Sequence, residues 1–350
     1  MKPGNEKLNE RSGFTIIELL TVMGIIAILI GLLVPALNLV KEYSKELEQK
    51  AQFHSIDAAL GMFSAENRYG RYPESNDNVD SLTGVSHEWD PTAYCGANKL
   101  AEAMVGWDLL GYHPNSDFRS DGGFQHPDSL GVMMEAVYGA YHPNTDYTES
   151  DAGNNSFYAE TAAENVKARW GPFVELENAN AFRLDDVYDP AAPVGPGLGD
   201  FDTDPCRPNR VLCDVFAKKR HAGKKTGMPI LYYKARTQFT QQTWEPQPWQ
   251  TYGITDDIYY YIDNYNLLAL GSAETPGAWH PLADDYPGGG GVGPPIPNSE
   301  DDWRDFENMI LNPQVTSINR PYRAGSYILV SAGKDGLYGT PDDIFNFDKE

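Results

Sequence analysis

A single carboxylate lies inside the longest apolar stretch of this 350-residue chain. Residues 14–40 are apolar except for Glu18, two threonines and one asparagine. A carboxylate in hydrocarbon costs a few kcal/mol unless it pairs with a positive charge, is neutralised, or reaches the polar headgroups. Two alternatives are therefore open for Glu18: a group that needs a charged partner, or a residue near the end of a membrane span that extends to the headgroups.

A second group of carboxylates lies near the C-terminus. Three aspartates lie in a segment that also has glycines at 333, 336 and 339; they are Asp335, Asp342 and Asp343. Carboxylate oxygens are hard ligands of the kind that calcium takes, and glycines permit the tight turns that bring such ligands together. Two interpretations remain: a loop that folds around calcium, or an acidic turn that water solvates.

The cysteines offer one further covalent possibility. Cys206 and Cys213 could close a small loop by a disulfide if this part of the chain faces an oxidising compartment. The alternative is two separate reduced thiols. The third cysteine is Cys95, and no CxxC pair indicates zinc binding or thiol redox chemistry.

No motif in the chain indicates an enzyme. It has neither a GxSxG sequence around a serine nucleophile nor an HExxH pair. Asp200, Asp202 and Asp204 resemble the opening of an EF-hand loop, but Pro205 stands where that loop needs its glycine. We therefore expect no catalytic activity, and we interpret residues 200–204 as a solvated acidic turn.

The overall charge of the chain argues against nucleic acid as a partner. The formal net charge is -23 and the isoelectric point is near 4.6. Binding to a phosphate backbone requires clustered lysine and arginine, so we expect no nucleic-acid partner.

The apolar run predicts a membrane-spanning helix. About 20 apolar residues cross a bilayer core, so residues 14–40 suffice, and an amphipathic stripe extends the helix through residues 41–68. Pro35 should bend or locally melt this helix because it lacks an amide hydrogen. Basic residues in the polar segment 1–13 place the N-terminus in the cytoplasm and the body outside. The alternative is an ordinary secretory signal cleaved after Ala36.

The remaining chain predicts an α+β body. Helices are expected at 98–110 and 129–138, and strands at 227–235, 257–262 and 327–330. The glycine- and proline-rich segment 287–297 is expected to be a loop.

The sequence GFTIIELLTVMGIIAILIGLLVPAL resembles the class III signal of type IV pilins and type II secretion pseudopilins. The resemblance implies that a prepilin peptidase cleaves after Gly13, removes residues 1–13 and methylates Phe14. It also implies that Glu18 pairs with the amine of Phe14 on a neighbouring subunit, and that Pro35 is the helix-melting proline of the family.

Two further segments resemble the major pseudopilin in particular. IDAALGMFSAENRYGRYP is similar to the end of its helix, and SAGKDGLYGTPDDIFNFD is similar to the calcium-binding loop that closes its C-terminal sheet. The resemblance implies calcium as a ligand of Asp335, Asp342 and Asp343. It also implies a pilin-like frame with a small antiparallel sheet, a large irregular insertion within residues 69–320, and a final strand and loop within 321–350.

These features predict a structural subunit of a type II secretion pseudopilus or type IV pilus-like filament in the inner membrane. The expected partners are the prepilin peptidase, other pilin or pseudopilin subunits, the assembly platform and the membrane. The alternative is a minor or membrane-tethered protein whose insertion binds a substrate, a surface or a partner protein. Four tryptophans could form such a surface: Trp244, Trp249, Trp279 and Trp303.

Overall fold

A computed structural model gives the architecture of the chain. It describes residues 15–67, 70–75, 94–116, 118, 123–125, 134–136, 138, 166–188, 209–220, 223–242, 257–273, 280–283 and 300–349. The chain divides into two units, Met1–Leu47 and Glu48–Glu350. Both contain part of the same N-terminal helix.

The first element, helix α1, spans Ile16–Glu66 and has 51 residues. The predicted long helix is therefore confirmed from Ile16 onward. It continues through Pro35 with unbroken helical backbone, so of the two expected effects of this proline, a bend or local melting, the structure shows no melting, and the bend stays a prediction. A helix tolerates an internal proline where the amide that it lacks costs one hydrogen bond and the flanking turns remain intact.

The second half of α1 buries one face in the body. Its buried apolar residues recur at helical spacing and are Phe53, Ile56, Ala59, Leu60 and Phe63. Tyr43 and Leu47 lie within the segment 41–68 where an amphipathic stripe is expected, but they are 63% and 50% exposed. Two buried glutamines, Gln49 and Gln52, continue the buried face instead.

The body contains many short elements. After α1, the elements in chain order are α2 (Gly96–Val105), β1 (Gly123–Gln125), β2 (Met134–Ala136), α3 (Leu176–Ala179), β3 (Ala181–Arg183), α4 (Leu184–Val187), β4 (Arg210–Leu212), β5 (Lys218–Lys219), β6 (Lys225–Thr226), β7 (Leu231–Lys234), a 3₁₀ turn (Tyr261–Asn264), α5 (Tyr265–Leu268), a second 3₁₀ turn (Pro281–Ala283), α6 (Glu300–Ile310), β8 (Tyr327–Ser331) and β9 (Ile344–Phe345). The expected α+β class with small antiparallel sheets is confirmed.

The central sheet is antiparallel, with strand order β7-β8-β9. Leu231 pairs with Val330, and Val330 in turn pairs with Phe345. The predicted strands at 227–235 and 327–330 are thus confirmed, since β7 and β8 lie at these positions. Next to β7, the main-chain amide of Ile230 donates to Leu212 O over 2.7 Å, so β4 lies beside the segment that leads into β7.

Three of the predicted elements need correction. The helix expected at 129–138 is wrong, since Met134–Ala136 is strand β2, paired with β1. The strand expected at 257–262 is wrong as well, because Tyr261–Asn264 forms a 3₁₀ turn. Ile258, Tyr259 and Tyr261 are all fully buried there, so packing overrides the β propensity of the segment.

The helix expected at 98–110 is α2, which begins earlier and ends at Val105. Gly106 follows with φ of 74° and donates its amide to Glu102 O over 2.8 Å. A Cβ at this position would lie 2.0 Å from Gly111 O. Glycine is therefore required at this turn, and it ends the helix before Trp107 and Leu110.

Buried tyrosines hold the irregular backbone of the body together. Tyr232 donates its hydroxyl to Pro73 O over 2.6 Å, and Tyr259 donates to Arg323 O over 2.7 Å. The hydroxyls of Tyr261 and Tyr338 donate in the same way to Leu282 O and Pro229 O. Short strands leave many carbonyls without a ladder partner, and a buried unpaired carbonyl costs about 1–3 kcal/mol. The tyrosines satisfy these carbonyls while their rings fill the core.

Two fully buried carboxyl groups, Asp214 and Asp263, have pKa values raised above the usual range for aspartate. Burial raises the pKa of Asp214 to about 7, although hydrogen bonds from Ser331, Phe216 and Met228 oppose the shift. Burial also raises the pKa of Asp263 to about 6. The folded state therefore holds both protons more tightly than the unfolded chain, in which an aspartate has a pKa of about 3.9.

We predict that Asp214 stabilises the fold fully below about pH 4 and that this contribution is lost as the pH rises to about 7. Asp214→Asn mimics the protonated group and should flatten the pH dependence of stability over this window. Thermal unfolding of the full chain in detergent, followed by circular dichroism at pH 4 to 8, measures this difference. Equal pH profiles for the variant and the wild type would contradict the prediction.

Candidate functional site

Thr15 and Glu18 form hydrogen bonds with each other in the first turn of α1. The amide and the hydroxyl of Thr15 each donate to Oε2 of Glu18 over 2.8 Å. In return, the amide of Glu18 donates to Oγ1 of Thr15 over 3.3 Å. This reciprocal arrangement is a capping box, with threonine at the N-cap and glutamate three residues later. Both residues thus satisfy backbone groups that a helix start otherwise leaves unpaired.

The capping box gives Glu18 a role that neither alternative from the sequence included. The signal was readable, because Thr-x-x-Glu before an apolar run is the known pattern of a helix N-terminus. A negative charge in the first turn is also favoured by the helix dipole. Both bonds that Glu18 accepts end on Oε2, so its second oxygen, Oε1, can meet a further donor.

The same segment presents an apolar surface that nothing within its own unit covers. Ile16 is 83% exposed, Leu32 is 70% exposed and Leu20 is 69% exposed. By length and composition, α1 is the one helix in the described part of the chain that could cross a membrane. Large exposed apolar surfaces are rare on soluble proteins and mark contact with membranes or with other proteins.

A hydroxyl inside this apolar surface also has partners in its own chain. Thr21 donates Oγ1 to the carbonyl oxygens of Ile17 and Glu18, each over 3.0 Å. Together with the capping box, this bond means that Thr15, Glu18 and Thr21 all enter an apolar environment with internal hydrogen bonds. Such bonds lower the cost of placing polar groups in hydrocarbon.

The acidic loop, defined here as residues 333–343, joins β8 to β9. Asp342 accepts hydrogen bonds at Oδ2 from the amides of Lys334 and Asp335, over 2.8 and 3.0 Å, and at Oδ1 from the Thr340 hydroxyl over 2.5 Å. Asp335 accepts the amide of Leu337 over 2.8 Å. The loop is therefore held in shape by carboxylates that bind its own main chain.

Asp343 differs from the other two carboxylates. Its Oδ2 accepts the amide of Gly339 over 2.7 Å, whereas its Oδ1 is buried and has no hydrogen-bond partner among the described residues. Burial raises the pKa of Asp343 to about 8, and the charges of Asp342 and Asp335 add to the shift. Repulsion among these three carboxylates is what a bound cation would relieve.

The fit of this loop to calcium is partial. Among the carboxylate oxygens of the acidic loop, only Oδ1 of Asp343 is identified as buried and unpartnered, and most of the others already accept hydrogen bonds. In the described ranges, no three His, Cys, Asp or Glu side chains form a group that could hold a metal ion. Calcium binding by Asp335, Asp342 and Asp343 therefore stays a prediction.

The predicted disulfide between Cys206 and Cys213 stays a prediction. Cys213 is fully buried, and burial raises the pKa of its thiol. Its proposed partner, Cys206, lies outside the described residues. A buried thiol of raised pKa is mostly protonated at neutral pH and reacts slowly.

Several other predicted residues also lie outside the described part of the chain. They are Gly13 and Phe14 at the expected cleavage point, the acidic run 200–204, and Trp244, Trp249 and Trp279. Trp303 lies in α6, and its side chain is likewise not described. The first described residue, Thr15, directly follows Phe14.

Comparison with known proteins identifies the N-terminal segment. The family model described as the prokaryotic N-terminal methylation motif matches residues 8–34. A protein from Clostridium perfringens, named prepilin peptidase-dependent protein A, is 33% identical over 112 residues, which cover 75% of that protein and 30% of this chain. No solved structure matches the chain.

The capping box can be tested by changing only the threonine hydroxyl. Thr15→Val removes the hydroxyl bonds on both sides and should weaken the helix start by about 1 kcal/mol. We expect faster amide hydrogen exchange in the first turn of α1 in detergent micelles, measured by NMR. Thr15→Ser keeps the hydroxyl and should exchange as the wild type does. If amide hydrogen exchange in Thr15→Val is as slow as in the wild type, the capping box does not stabilise the start of α1.

Proposed function

Because this chain belongs to the pilin-like proteins that a prepilin peptidase processes, we propose that it is a structural subunit of a type II secretion pseudopilus or type IV pilus-like filament. The methylation motif at residues 8–34 supports this proposal most directly. It overlaps the start of an apolar helix that leaves large side chains exposed. Such a helix can occupy a bilayer before assembly and the core of a filament afterwards.

Processing prepares the end of this helix for assembly. Cleavage after Gly13 removes a polar leader that contains Lys2, Lys7 and Arg11, and it exposes the amine of Phe14. This amine is positively charged at neutral pH and remains so when it carries one methyl group. It lies directly before Thr15, the residue that caps the helix.

Glu18 provides the matching negative charge. A carboxylate in a dry environment is strongly attracted to a cation within a few ångströms, and truncation of either partner leaves an unpaired charge that costs several kcal/mol. We propose that Oε1 of Glu18 meets the Phe14 amine of a neighbouring subunit while Thr15 holds Oε2. The pair fixes how far each subunit moves along the filament axis before the next one is added.

The placement in the cell follows from the same features. We propose a single-pass protein of the inner membrane whose N-terminus lies in the cytoplasm and whose body lies outside. The assembly platform would extract the processed subunit from the bilayer. The role is structural rather than enzymatic, and the acidic chain, with its net charge of -23, does not suit nucleic acid.

One observation favours a second candidate. The match to the Clostridium perfringens protein covers 30% of this chain, so most of the chain has no counterpart in that relative. The additional residues could bind a substrate, a surface or a partner protein, in which case the chain would be a minor or tethered subunit. Abundance separates the two roles, because a major subunit is plentiful and a minor subunit is scarce.

We predict that Glu18→Ala leaves cleavage after Gly13 intact and stops assembly, because the amine of the neighbouring subunit loses its partner. Cleavage is measured by mass spectrometry of the membrane fraction, and assembly by immunoblotting of sheared filaments. Glu66→Ala removes an exposed carboxylate at the other end of the same helix and serves as the control. Filaments of normal yield from Glu18→Ala would exclude the proposed ion pair.

We also propose that the acidic loop takes up calcium, supported by the buried oxygen Oδ1 of Asp343 and by the negative charges of Asp342 and Asp335, which raise the pKa of Asp343. Calcium should raise the melting temperature of the full chain by a few degrees and slow proteolysis within the loop. Magnesium, which prefers smaller octahedral sites, should have little effect. Asp343→Asn should remove the response, and an unchanged melting temperature in wild-type protein would refute calcium binding.

A further inference from the structure

Two polar contacts dock the second half of α1 on the body. The first, here called the glutamine clamp, involves Gln49 and Gln52. Gln52 donates Nε2 to Cys213 O over 2.9 Å, and the amide of Val215 donates to Oε1 of Gln49 over 3.0 Å. Both glutamines are buried, so these bonds fix the helix on either side of residue 214.

The second contact, here called the aspartate clamp, centres on Asp57. Tyr327 donates its hydroxyl to Oδ1 of Asp57 over 2.8 Å, and Asn346 donates Nδ2 to the same oxygen over 3.3 Å. Arg323 forms an ion pair with Oδ2 over 3.3 Å. Since Tyr327 begins β8 and Asn346 follows β9, this clamp holds the strands that flank the acidic loop.

The buried side chain of Asp214 links the glutamine clamp to the acidic loop. Its Oδ2 accepts the hydroxyl of Ser331 over 2.9 Å, and that hydroxyl oxygen accepts the amide of Gly333 over 3.2 Å. Ser331 ends β8, and Gly333 is the first residue of the acidic loop. One side chain therefore connects the segment that holds the helix to the base of the loop.

The backbone at both ends of the connection between Asp214 and the acidic loop is tightly packed. A Cβ on Gly333, where φ is 64°, would lie 2.3 Å from Asp342 O. A Cβ on Gly227 would lie 2.1 Å from Asp214 O. Backbone packed this closely cannot shift without moving its neighbours, so the loop base and the backbone at residue 214 are each held tightly, and Ser331 joins them.

We propose that the Asp214–Ser331 contact couples the order of the acidic loop to the docking of residues 48–63 of α1. The loop is tied to the helix at both of its ends, through Asp214 at the start and through Asn346 and Asp57 beyond its end. A change that orders the loop therefore stabilises the docked helix, and a change that disorders the loop loosens it. The coupling requires neither filament assembly nor the presence of a metal ion.

Hydrogen exchange on the full chain in detergent micelles tests this coupling. Ser331→Ala removes the link, and peptides covering 48–63 and 333–343 should both exchange about fivefold faster, the factor expected for one lost hydrogen bond. Ser331→Thr keeps the hydroxyl and should restore wild-type exchange in both peptides. Faster hydrogen exchange in the loop peptide 333–343, together with unchanged exchange in the helix peptide 48–63, would overturn the proposal.

A second variant disturbs the loop and leaves both side chains of the Asp214–Ser331 contact in place. Gly333→Ala strains the loop at its left-handed position, and the helix peptide should again exchange faster together with the loop peptide. Asp263→Asn is the matched control, because it changes another fully buried carboxyl that bonds to Ser75 rather than to either clamp. Equal acceleration of both peptides in Asp263→Asn would show general loosening and would also overturn the proposal.

Discussion

Large apolar side chains cover every side of α1 between Ile16 and Val40, and within their own unit they remain exposed. At about 25 cal/mol for each square ångström of apolar surface, leaving such a helix in water is strongly unfavourable. The helix therefore needs lipid or other helices around it. Its polar groups are arranged to suit that environment, since Thr15, Glu18 and Thr21 all have hydrogen-bond partners within the chain.

The second half of α1 differs, because one of its faces is buried against the body. Its buried face mixes apolar residues with Gln49 and Gln52, and the half-buried Asp57 lies on the same half of the helix. The bonds of these three residues to the main chain and to the end of the sheet give the docking a defined register. The body has few long strands or helices among its described residues. Buried tyrosine hydroxyls supply many of the bonds that longer ladders would otherwise provide.

The sequence predicted the parts of the fold that depend on a regular pattern. The long helix and the strands β7 and β8 were confirmed because periodic or continuous apolar residues specify them locally. The strand at 134–136 and the 3₁₀ turn at 261–264 were missed, since tertiary packing decides those segments. At the site, the sequence indicated that Glu18 is important. The Thr-x-x-Glu spacing also predicts a capping box, which neither alternative for Glu18 included. Asp57 could not be recognised, because its partners lie far away in the chain.

We propose that a prepilin peptidase makes this chain into a filament subunit by creating a charged helix end beside Glu18. The mass of the mature N-terminal peptide, measured on protein purified from membranes of cells that contain the peptidase, tests this claim most directly. We predict a peptide that begins at Phe14 and carries one added methyl group. A protein that begins at Leu37, as conventional signal cleavage would produce, or that retains Met1 and the whole leader, would contradict the account.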